Sequence, residues 1–280
     1  MPLKLMYITN RPDVAAIAEN AGVDRIFVDM EYIGKEKRQG GIDSVKNHHK
    51  VSDVVNIRGA ISKAELLVRV NPIHEASADY CSSEDEINAV LDAGADIVML
   101  PFFKTVEEVK RFIKIVNKRA KVMLLLETPE AVDIVDDIIA IPGIDEIHIG
   151  LNDLSIGYGK KFMFELLPDG TVEKLCVKFK AAGIPFGFGG VASIGTGMLP
   201  AEVIIKEHYR LGSTMVILSR SFCNVNRDTD INYIREKFDI GVRSLRAFER
   251  EIAVHRDYFA NNEQDVRKFV QKVLDAMEDK

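Results

Sequence analysis

The chain has 280 residues, of which 47% are hydrophobic and 29% charged, and its formal net charge is −6. This length suits one large domain or two small ones, and the composition provides enough apolar material for a core, which argues against a disordered chain. The acidic balance argues against a nucleic-acid-binding protein, because such a protein would present a basic face to the phosphate backbone.

Eight short apolar runs rich in β-branched residues recur along the chain, and we expect each of them to form a strand. They occupy residues 3–9, 25–29, 66–70, 96–101, 122–127, 146–150, 185–189 and 214–219. Unbroken apolar runs are typical of parallel strands, since helices cover both faces of such a sheet or the outside of a barrel. Segments with helical periodicity lie between them, at residues 12–20, 84–91, 106–116, 129–139, 172–181 and 201–211.

A short signature precedes several of these strands, in which a glycine, an apolar residue and an aspartate lead into the apolar run. It begins at Gly22, Gly94 and Gly143 and recurs in weaker form at Gly212. Such a glycine can end a helix in the left-handed conformation. The alternation of strands and helices predicts an α/β fold of the TIM (β/α)8 barrel type. An open parallel sheet is the alternative, which the lack of a G-x-G-x-x-G motif after the first strand weakens.

The strands stop after Ser221, and the remaining sequence is helical in character. Apolar residues spaced by three and four from Ile231 to Phe259 predict a long amphipathic helix with a narrow apolar stripe, and a second helix follows at residues 264–277. The stripe could pack on its own barrel or on a neighbouring subunit, and we favour the subunit. We therefore predict a catalytic barrel over residues 1–222 and a C-terminal helical extension over residues 223–280 that joins the subunits of a homo-oligomer.

Signals for membrane insertion, export or disulfide formation are missing. The longest apolar run, residues 97–103, is far shorter than the ~18 residues that span a bilayer, and the N-terminus lacks a signal-peptide core. Cys81, Cys176 and Cys223 are scattered without metal-binding spacing, as expected in a reducing compartment. These features favour a cytoplasmic protein with a small-molecule partner rather than nucleic acid or membrane.

Two carboxylates mark the expected active-site face, which in such barrels lies at the C-terminal ends of the strands. Glu127 follows five apolar residues, and Asp153 lies on the loop after the next strand. A charged carboxylate in such a place is usually paired or bound to a cation. Two carboxylates without histidine or cysteine beside them suit Mg²⁺ or Mn²⁺ better than zinc. The alternative is that Glu127 caps the following helix and Asp153 a turn.

These segments resemble the paired metal-binding motifs of the HpcH/HpaI aldolase and citrate lyase β-subunit superfamily, which are pyruvate-type class II aldolases built on a TIM barrel. Each matching segment alone is only weakly specific for the family. Their order and spacing between about residue 10 and residue 220 are more specific. The pieces are LETPEA at residues 126–131, IDEIHIGLNDLSIG at 144–157, VDME at 28–31, VRVNP at 68–72, LDAGAD at 91–96 and MLP at 99–101.

The resemblance implies a site in which Glu127 and Asp153 ligate Mg²⁺ or Mn²⁺, and the ion chelates the 2-oxo group and carboxylate of a pyruvate-like substrate. It further implies that Arg69 stabilises the enolate oxygen, although an internal ion pair of Arg69 with Glu31 or Asp29 is the alternative. The remaining candidates are Tyr32 and Asp92 for catalysis and Glu31, Gly150, Leu151, Asn152 and Arg220 for substrate binding.

The sequence departs from the family at the base, because Tyr32 stands where these aldolases carry a histidine, and a phenol with a pKa near 10 is a poor base at neutral pH. His74 could substitute, although a lone loop histidine is more often at the surface. We interpret the basic stretch from Lys35 to Lys50, including His48 and His49, as a solvated loop. Glycines between residues 187 and 197 could bind a phosphorylated or carboxylated tail together with Arg220, or could simply form a flexible connection.

The predicted function is a divalent-metal-dependent carbon–carbon lyase that cleaves or forms a hydroxy-oxo acid through a pyruvate or oxaloacetate enolate. One alternative is an acyl-CoA lyase, a thioesterase or a phosphoenolpyruvate-dependent enzyme on the same barrel. A second alternative is an oxo-acid-binding protein that has lost its base and its catalytic activity. Tyr32 favours the last alternative, whereas the complete set of Glu127, Asp153 and Arg69 disfavours it.

Overall fold

Eight parallel strands, each paired with its two neighbours in chain order, close into a barrel. The computed structural model describes residues 1–35, 49–225, 227–254 and 257–278. The strands are β1 Lys4–Ile8, β2 Arg25–Asp29, β3 Glu65–Arg69, β4 Ile97–Leu100, β5 Lys121–Leu126, β6 Glu146–Ile149, β7 Phe186–Val191 and β8 Met215–Leu218. The predicted TIM-type barrel is therefore confirmed, and the open-sheet alternative is wrong, because β8 pairs with β1.

Helices follow each strand and surround the barrel. They are α1 Pro12–Ala21, α2 Val51–Ala60, α3 Ser83–Asp92, α4 Val106–Val116, α5 Pro129–Asp133, α6 Val135–Ile139, α7 Leu151–Gly157, α8 Thr171–Ala181, α9 Ala201–Leu211, α10 Ile231–Val254 and α11 Asp257–Glu278. The helix predicted at residues 129–139 is divided in two at Ile134. Helix α2 was not predicted, because it buries only Val54 and Ile57 and has no clear apolar stripe.

The glycine signature ends helices as expected. Gly22 follows α1 with a φ of 98° and its N–H donates back to the carbonyls of the last helical turn, and Gly212 does the same after α9 with a φ of 79°. Gly94 and Gly143 also adopt positive φ angles. Glycine is favoured at such positions because it has no Cβ to clash in the left-handed region.

The barrel interior is filled from alternate positions of the strands. Its apolar members include methionines from four strands together with Phe27, Leu67 and Leu125. At the N-terminal end of the barrel the interior is closed by a charged layer, in which the fully buried Arg25 donates to both Glu146 oxygens at 2.6 and 2.7 Å. A buried arginine of this kind is tolerated because its charge is matched by hydrogen-bonded carboxylate.

The C-terminal helices pack on the barrel of their own chain. Helix α10 lies beside α1 and contacts α9, so it completes the ring of helices around the strands. Its apolar stripe is buried there, with Phe238, Val242, Leu245 and Ile252 at most 2% exposed. The expectation that a neighbouring subunit covers this stripe is therefore wrong, because the stripe is the inner face of the eighth barrel helix. The boundary predicted at residue 222 falls between β8 and that helix.

Polar contacts fasten both helices to the barrel. The Glu249 carboxylate of α10 accepts hydrogen bonds from the Leu3 N–H at 2.7 Å and the Tyr209 hydroxyl at 3.0 Å. Asn262 of α11 is fully buried, and its amide donates to the Val203 carbonyl at 3.1 Å and to Glu207 at 2.8 Å. The extension beyond the barrel is thus α11 alone, which packs on α9.

Cys81, Cys176 and Cys223 are free thiols, of which the first is exposed and the other two are buried. Across the ranges that the structure describes, no helix combines the length and apolar character needed to cross a membrane.

A close helix–barrel contact predicts the effect of one glycine substitution. A Cβ on Gly241 of α10 would lie 2.6 Å from the ring of Phe222, which is itself buried. We expect Gly241→Ala to lower the free energy of unfolding by about 1–3 kcal/mol, measured by urea denaturation, because the ring must move in a packed core. Gly59→Ala in α2 is the control: nothing lies within 4 Å of its Cβ, and it should stabilise by about 0.5–1 kcal/mol. Equal effects would contradict the packing explanation.

Candidate active site at the carboxyl ends of the strands

A cavity of about 360 Å³ opens at the C-terminal ends of the strands. Residues at or after the ends of seven of the eight strands line it, as expected for an active site in this fold. Seven of the residues predicted from the sequence line this cavity: Arg69, Glu127, Gly150, Leu151, Asn152, Asp153 and Arg220.

Glu127 and Asp153 form the acidic side of the cavity. Glu127 follows β5 directly and is 3% exposed, and its Oε1 accepts a hydrogen bond of 3.1 Å from the Phe102 N–H. Asp153 is in the first turn of α7 and is 8% exposed. Gly150 directly follows β6, and a Cβ on this residue would lie 2.7 Å from Glu127 Oε2. The glycine therefore leaves the space that the glutamate side chain occupies.

The capping alternative for Glu127 is wrong, because Thr128 performs that role. The Thr128 hydroxyl accepts a hydrogen bond from the Ala131 N–H at 3.1 Å at the start of α5. Glu127 therefore does not cap α5, and it lines the cavity.

The donor set fits a hard divalent cation. Among the described residues no group of three or more histidine, cysteine, aspartate or glutamate side chains is arranged to hold a metal ion, so these residues do not form the closed ligand shell that structural zinc requires. Two buried carboxylates from adjacent strand ends match the way Mg²⁺ is bound, through one or two carboxylates plus water and substrate oxygens.

Arg69 is held by a cluster of opposite charges at the mouth. Its Nε and Nη2 donate to the two oxygens of Asp29 at 2.7 and 2.8 Å, and Nη1 lies 3.2 Å from Glu31 Oε2. Lys35 Nζ lies 3.3 Å from Asp29 and 3.6 Å from Glu31. Arg69 therefore forms the predicted alternative, an internal ion pair with Asp29 and Glu31. It also lines the cavity.

This cluster keeps Arg69 charged. Burial by itself lowers the pKa of the guanidinium, but the negative charges of Asp29 and Glu31 outweigh burial and hold the pKa well above its ordinary value. Among the described residues, the two cations Arg69 and Lys35 face the two carboxylates Asp29 and Glu31.

Three predicted site residues lie away from the cavity. Glu31 is fully buried beside Arg69, where it orients the guanidinium and does not line the cavity. The Tyr32 ring packs edge-on against Tyr80 at 5.1 Å. Burial and nearby negative charges, Glu86 first among them, raise the pKa of Tyr32, so even less of the phenolate that could act as a base is present at neutral pH.

Asp92 is the clearest correction. It is the exposed last residue of α3, which leads into β4, so it lies at the N-terminal end of the strands. The residues that line the cavity are at the opposite end. Asp92 of the LDAGAD segment therefore ends the helix that precedes β4 and is not at the active-site face.

His74 and the glycine-rich segment also have structural roles. His74 Nδ1 lies 2.7 Å from the Pro72 carbonyl and Nε2 lies 2.9 Å from the Cys81 carbonyl, so this ring ties together the connection between β3 and α3. Gly187, Gly189 and Gly190 are part of β7 and not of a loop after it. Gly189 and Gly190 line the cavity.

Three cavity residues were missed or misread from the sequence. The cavity position of His148 could have been predicted from strand alternation, since this residue lies two positions after the inward-facing Glu146.

Lys35 and His49 were interpreted as solvated surface, but Lys35 is 5% exposed and both line the cavity. No local sequence pattern marks Lys35 and His49 as cavity residues, because their positions depend on contacts with Asp29 at the end of β2. His48 and residues 36–47 lie outside the described part of the chain.

His148 is a neutral histidine inside the barrel. It is 1% exposed, and its Nε2 lies 3.1 Å from the Gly189 carbonyl. Gly187 makes room for the ring, since a Cβ there would lie 2.9 Å from His148 Nδ1. Burial lowers the pKa of His148 to about 4, and the charges of Arg25 and Arg69 act in the same direction.

The fold and the cavity together are those of a (β/α)8-barrel protein with a candidate active site at the C-terminal ends of its strands. A model of the HpcH/HpaI aldolase/citrate lyase family matches residues 4–184, and the chain belongs to this family of lyases and aldolases. No curated protein matches the chain.

Solved structures of two family proteins show the same fold. A HpcH/HpaI aldolase/citrate lyase family protein from Burkholderia cenocepacia J2315 is 18% identical with a TM-score of 0.62, covering 84% of this chain and 95% of the other. A HpcH/HpaI aldolase from Desulfitobacterium hafniense DCB-2 is also 18% identical, with a TM-score of 0.59 and coverage of 78% and 86%.

The low pKa of His148 predicts acid sensitivity. A histidine whose pKa is about 4 when folded and about 6.5 when unfolded takes up its proton more readily after unfolding. Its contribution to stability is therefore complete above pH ~6.5 and is lost as the pH falls towards 4, by about 3 kcal/mol. Urea denaturation across this range should show a weaker loss for His148→Gln. Identical pH dependence in the two proteins would contradict the assignment.

Proposed function

We propose that this protein is a divalent-metal-dependent carbon–carbon lyase that cleaves or forms a hydroxy-oxo acid through a pyruvate- or oxaloacetate-type enolate. The observation that carries the proposal is a single cavity lined by Glu127, Asp153 and Arg69, which come from the ends of β5, β6 and β3. Membership of a family of lyases and aldolases supports the reaction class.

Glu127 and Asp153 would hold Mg²⁺ or Mn²⁺. Both carboxylates are buried and line the same cavity, where a cation compensates the cost of keeping them charged. When bound, the ion supplies a Lewis acid for the 2-oxo group and carboxylate of the substrate.

Arg69 would stabilise the oxygen that gains negative charge when the carbon–carbon bond next to the carbonyl breaks. Its Nε, Nη1 and Nη2 each contact a carboxylate of Asp29 or Glu31, which holds the guanidinium plane in one orientation. A guanidinium has five N–H groups, so the two Nη atoms each retain a further donor for the substrate. A fixed donor of this kind stabilises developing charge without reorganising during the reaction.

The first turn of α7 would bind the substrate carboxylate through the backbone N–H groups of Leu151 and Asn152, because the Gly150 N–H already donates to the Leu126 carbonyl at 2.9 Å. Gly150 is the N-cap of α7, and the first N–H groups of a helix have no carbonyl partner within it. Arg220, after β8, lines the same cavity and would bind a second, carboxylated or phosphorylated end of the substrate. The cavity volume of about 360 Å³ suits a small ligand that is larger than pyruvate alone.

The test measures metal binding and turnover in parallel. Metal-stripped protein is titrated with Mn²⁺ by electron paramagnetic resonance and assayed with hydroxy-oxo acids, with pyruvate release coupled to a dehydrogenase. Since outer-sphere partners of a metal already contribute about 10- to 100-fold in affinity, loss of a direct ligand in Glu127→Gln or Asp153→Asn should weaken Mn²⁺ binding by more than about 100-fold. Pyruvate release should fall with it.

Matched controls come from exposed acids nearby. Glu75→Gln and Asp136→Asn remove surface carboxylates that pair with Arg111 and Lys178, and both should bind Mn²⁺ like the unaltered protein. Unchanged affinity in Glu127→Gln and Asp153→Asn, with no pyruvate from any substrate, would overturn the proposal. Activity on acyl-CoA or phosphoenolpyruvate would favour another enzyme on the same barrel, and metal-dependent oxo-acid binding without turnover would favour a binding protein.

A homo-oligomer remains part of the proposal. With the apolar stripe of α10 buried, the surface available for a second subunit is the outer face of the helix, where Ile240 is 54% and Tyr233 41% exposed. We expect a multiple of the chain mass in light scattering, and a lower mass for Ile240→Asp. A monomeric unaltered protein would contradict this expectation.

A further inference from the structure

His49 lies at the cavity mouth, next to the end of β2. Its Nδ1 accepts a hydrogen bond of 3.0 Å from the backbone N–H of Asp29, the last residue of β2. The ring is partly buried and lines the cavity with Arg69 and Glu127. The backbone of Asp29 thus positions the Nδ1 side of the His49 ring, and the ring borders the cavity.

This hydrogen bond determines which nitrogen carries the proton. Because Nδ1 accepts from an amide N–H, its lone pair is occupied and the neutral ring carries its hydrogen on Nε2. Nε2 is therefore a donor, and His49 cannot act as a base through either nitrogen without losing the bond to Asp29. Within the described ranges, the bond to Asp29 is the hydrogen bond found for this ring.

The surroundings keep the ring neutral. Burial lowers the pKa of His49 below its ordinary value; the carboxylates of Asp29 and Asp53 oppose this effect, and the cations of Lys35 and Arg69 reinforce it. At neutral pH the ring is therefore uncharged and carries its hydrogen on Nε2.

We propose that His49 is a catalytic residue that donates a hydrogen bond from Nε2 to a substrate oxygen as that oxygen gains negative charge. This inference rests on the proposed lyase function. The charge of Arg69 is shared with Asp29 and Glu31, so a second donor adds stabilisation for the oxygen. An uncharged donor does so without disturbing the balanced charges of the cluster. Tyr32, which stands at the family's base position, does not line the cavity and cannot supply this contact.

The competing explanation is structural, because the Nδ1 acceptor also satisfies the Asp29 N–H at the strand end. Two substitutions separate these roles. In His49→Asn the amide oxygen can take the place of Nδ1, which preserves the bond to Asp29 and removes the donor in the cavity. In His49→Gln the amide nitrogen can take the place of Nε2, which preserves a donor there.

The first readout is binding of oxalate, a planar mimic of the pyruvate enolate, in the presence of Mg²⁺. We expect His49→Asn to keep the melting temperature of the unaltered protein but to bind oxalate about 10-fold more weakly, the effect of one lost hydrogen bond. His49→Gln should recover most of the affinity. The second readout is nuclear magnetic resonance of protein labelled with ¹⁵N-histidine, in which the His49 Nε2–H signal should shift when oxalate binds.

The outcomes distinguish this inference from the function on which it rests. If the unaltered protein binds oxalate, but His49→Asn binds it equally well and the Nε2–H signal does not move, the role of His49 is overturned and the lyase proposal stands. If the unaltered protein binds no oxalate with Mg²⁺, the lyase proposal and the inference both fail. A ring found with its proton on Nδ1 would also overturn the inference.

Discussion

Closure of the parallel barrel is the constraint on which the site depends. Because β8 pairs with β1, all eight strands point the same way around one ring, and their C-terminal ends meet at one mouth. Residues distant in sequence, such as Asp29, Arg69 and Glu127, are brought together there. The interior below is filled by apolar side chains and closed by the Arg25–Glu146 ion pair, so the mouth is where the barrel is open to a ligand.

Charge balance organises that mouth. Arg69 and Lys35 are matched by Asp29 and Glu31, so four ionised groups share a buried region without a net charge. The acidic pair Glu127 and Asp153 lies across the same cavity. The proposed function assigns a divalent ion to this acidic side of the cavity and a substrate oxygen to the side of Arg69.

Glycines provide the space in which these side chains lie. Gly150 admits the Glu127 carboxylate, Gly187 admits the His148 ring, and Gly241 allows the eighth helix to approach Phe222. In each case a Cβ would come within 3.0 Å of a neighbouring atom. These positions are governed by contacts between different elements and not by the turn geometry that explains Gly22 or Gly212.

The barrel could be predicted from the amino-acid sequence, because strand and helix periodicities are local. The sequence also suggested Glu127, Asp153 and Arg69 as site residues at strand ends, and all three line one cavity. The remaining features depend on contacts between residues that are distant in the chain. Lys35 and His49 were interpreted as solvated from their polar neighbours, but pairing with Asp29 brings them into the cavity. Asp92 belonged to a matching motif, yet the direction of its strand places it at the other end. The apolar stripe of α10 indicated that this helix packs against another surface. An amphipathic pattern does not show whether that surface belongs to the same chain or to another subunit.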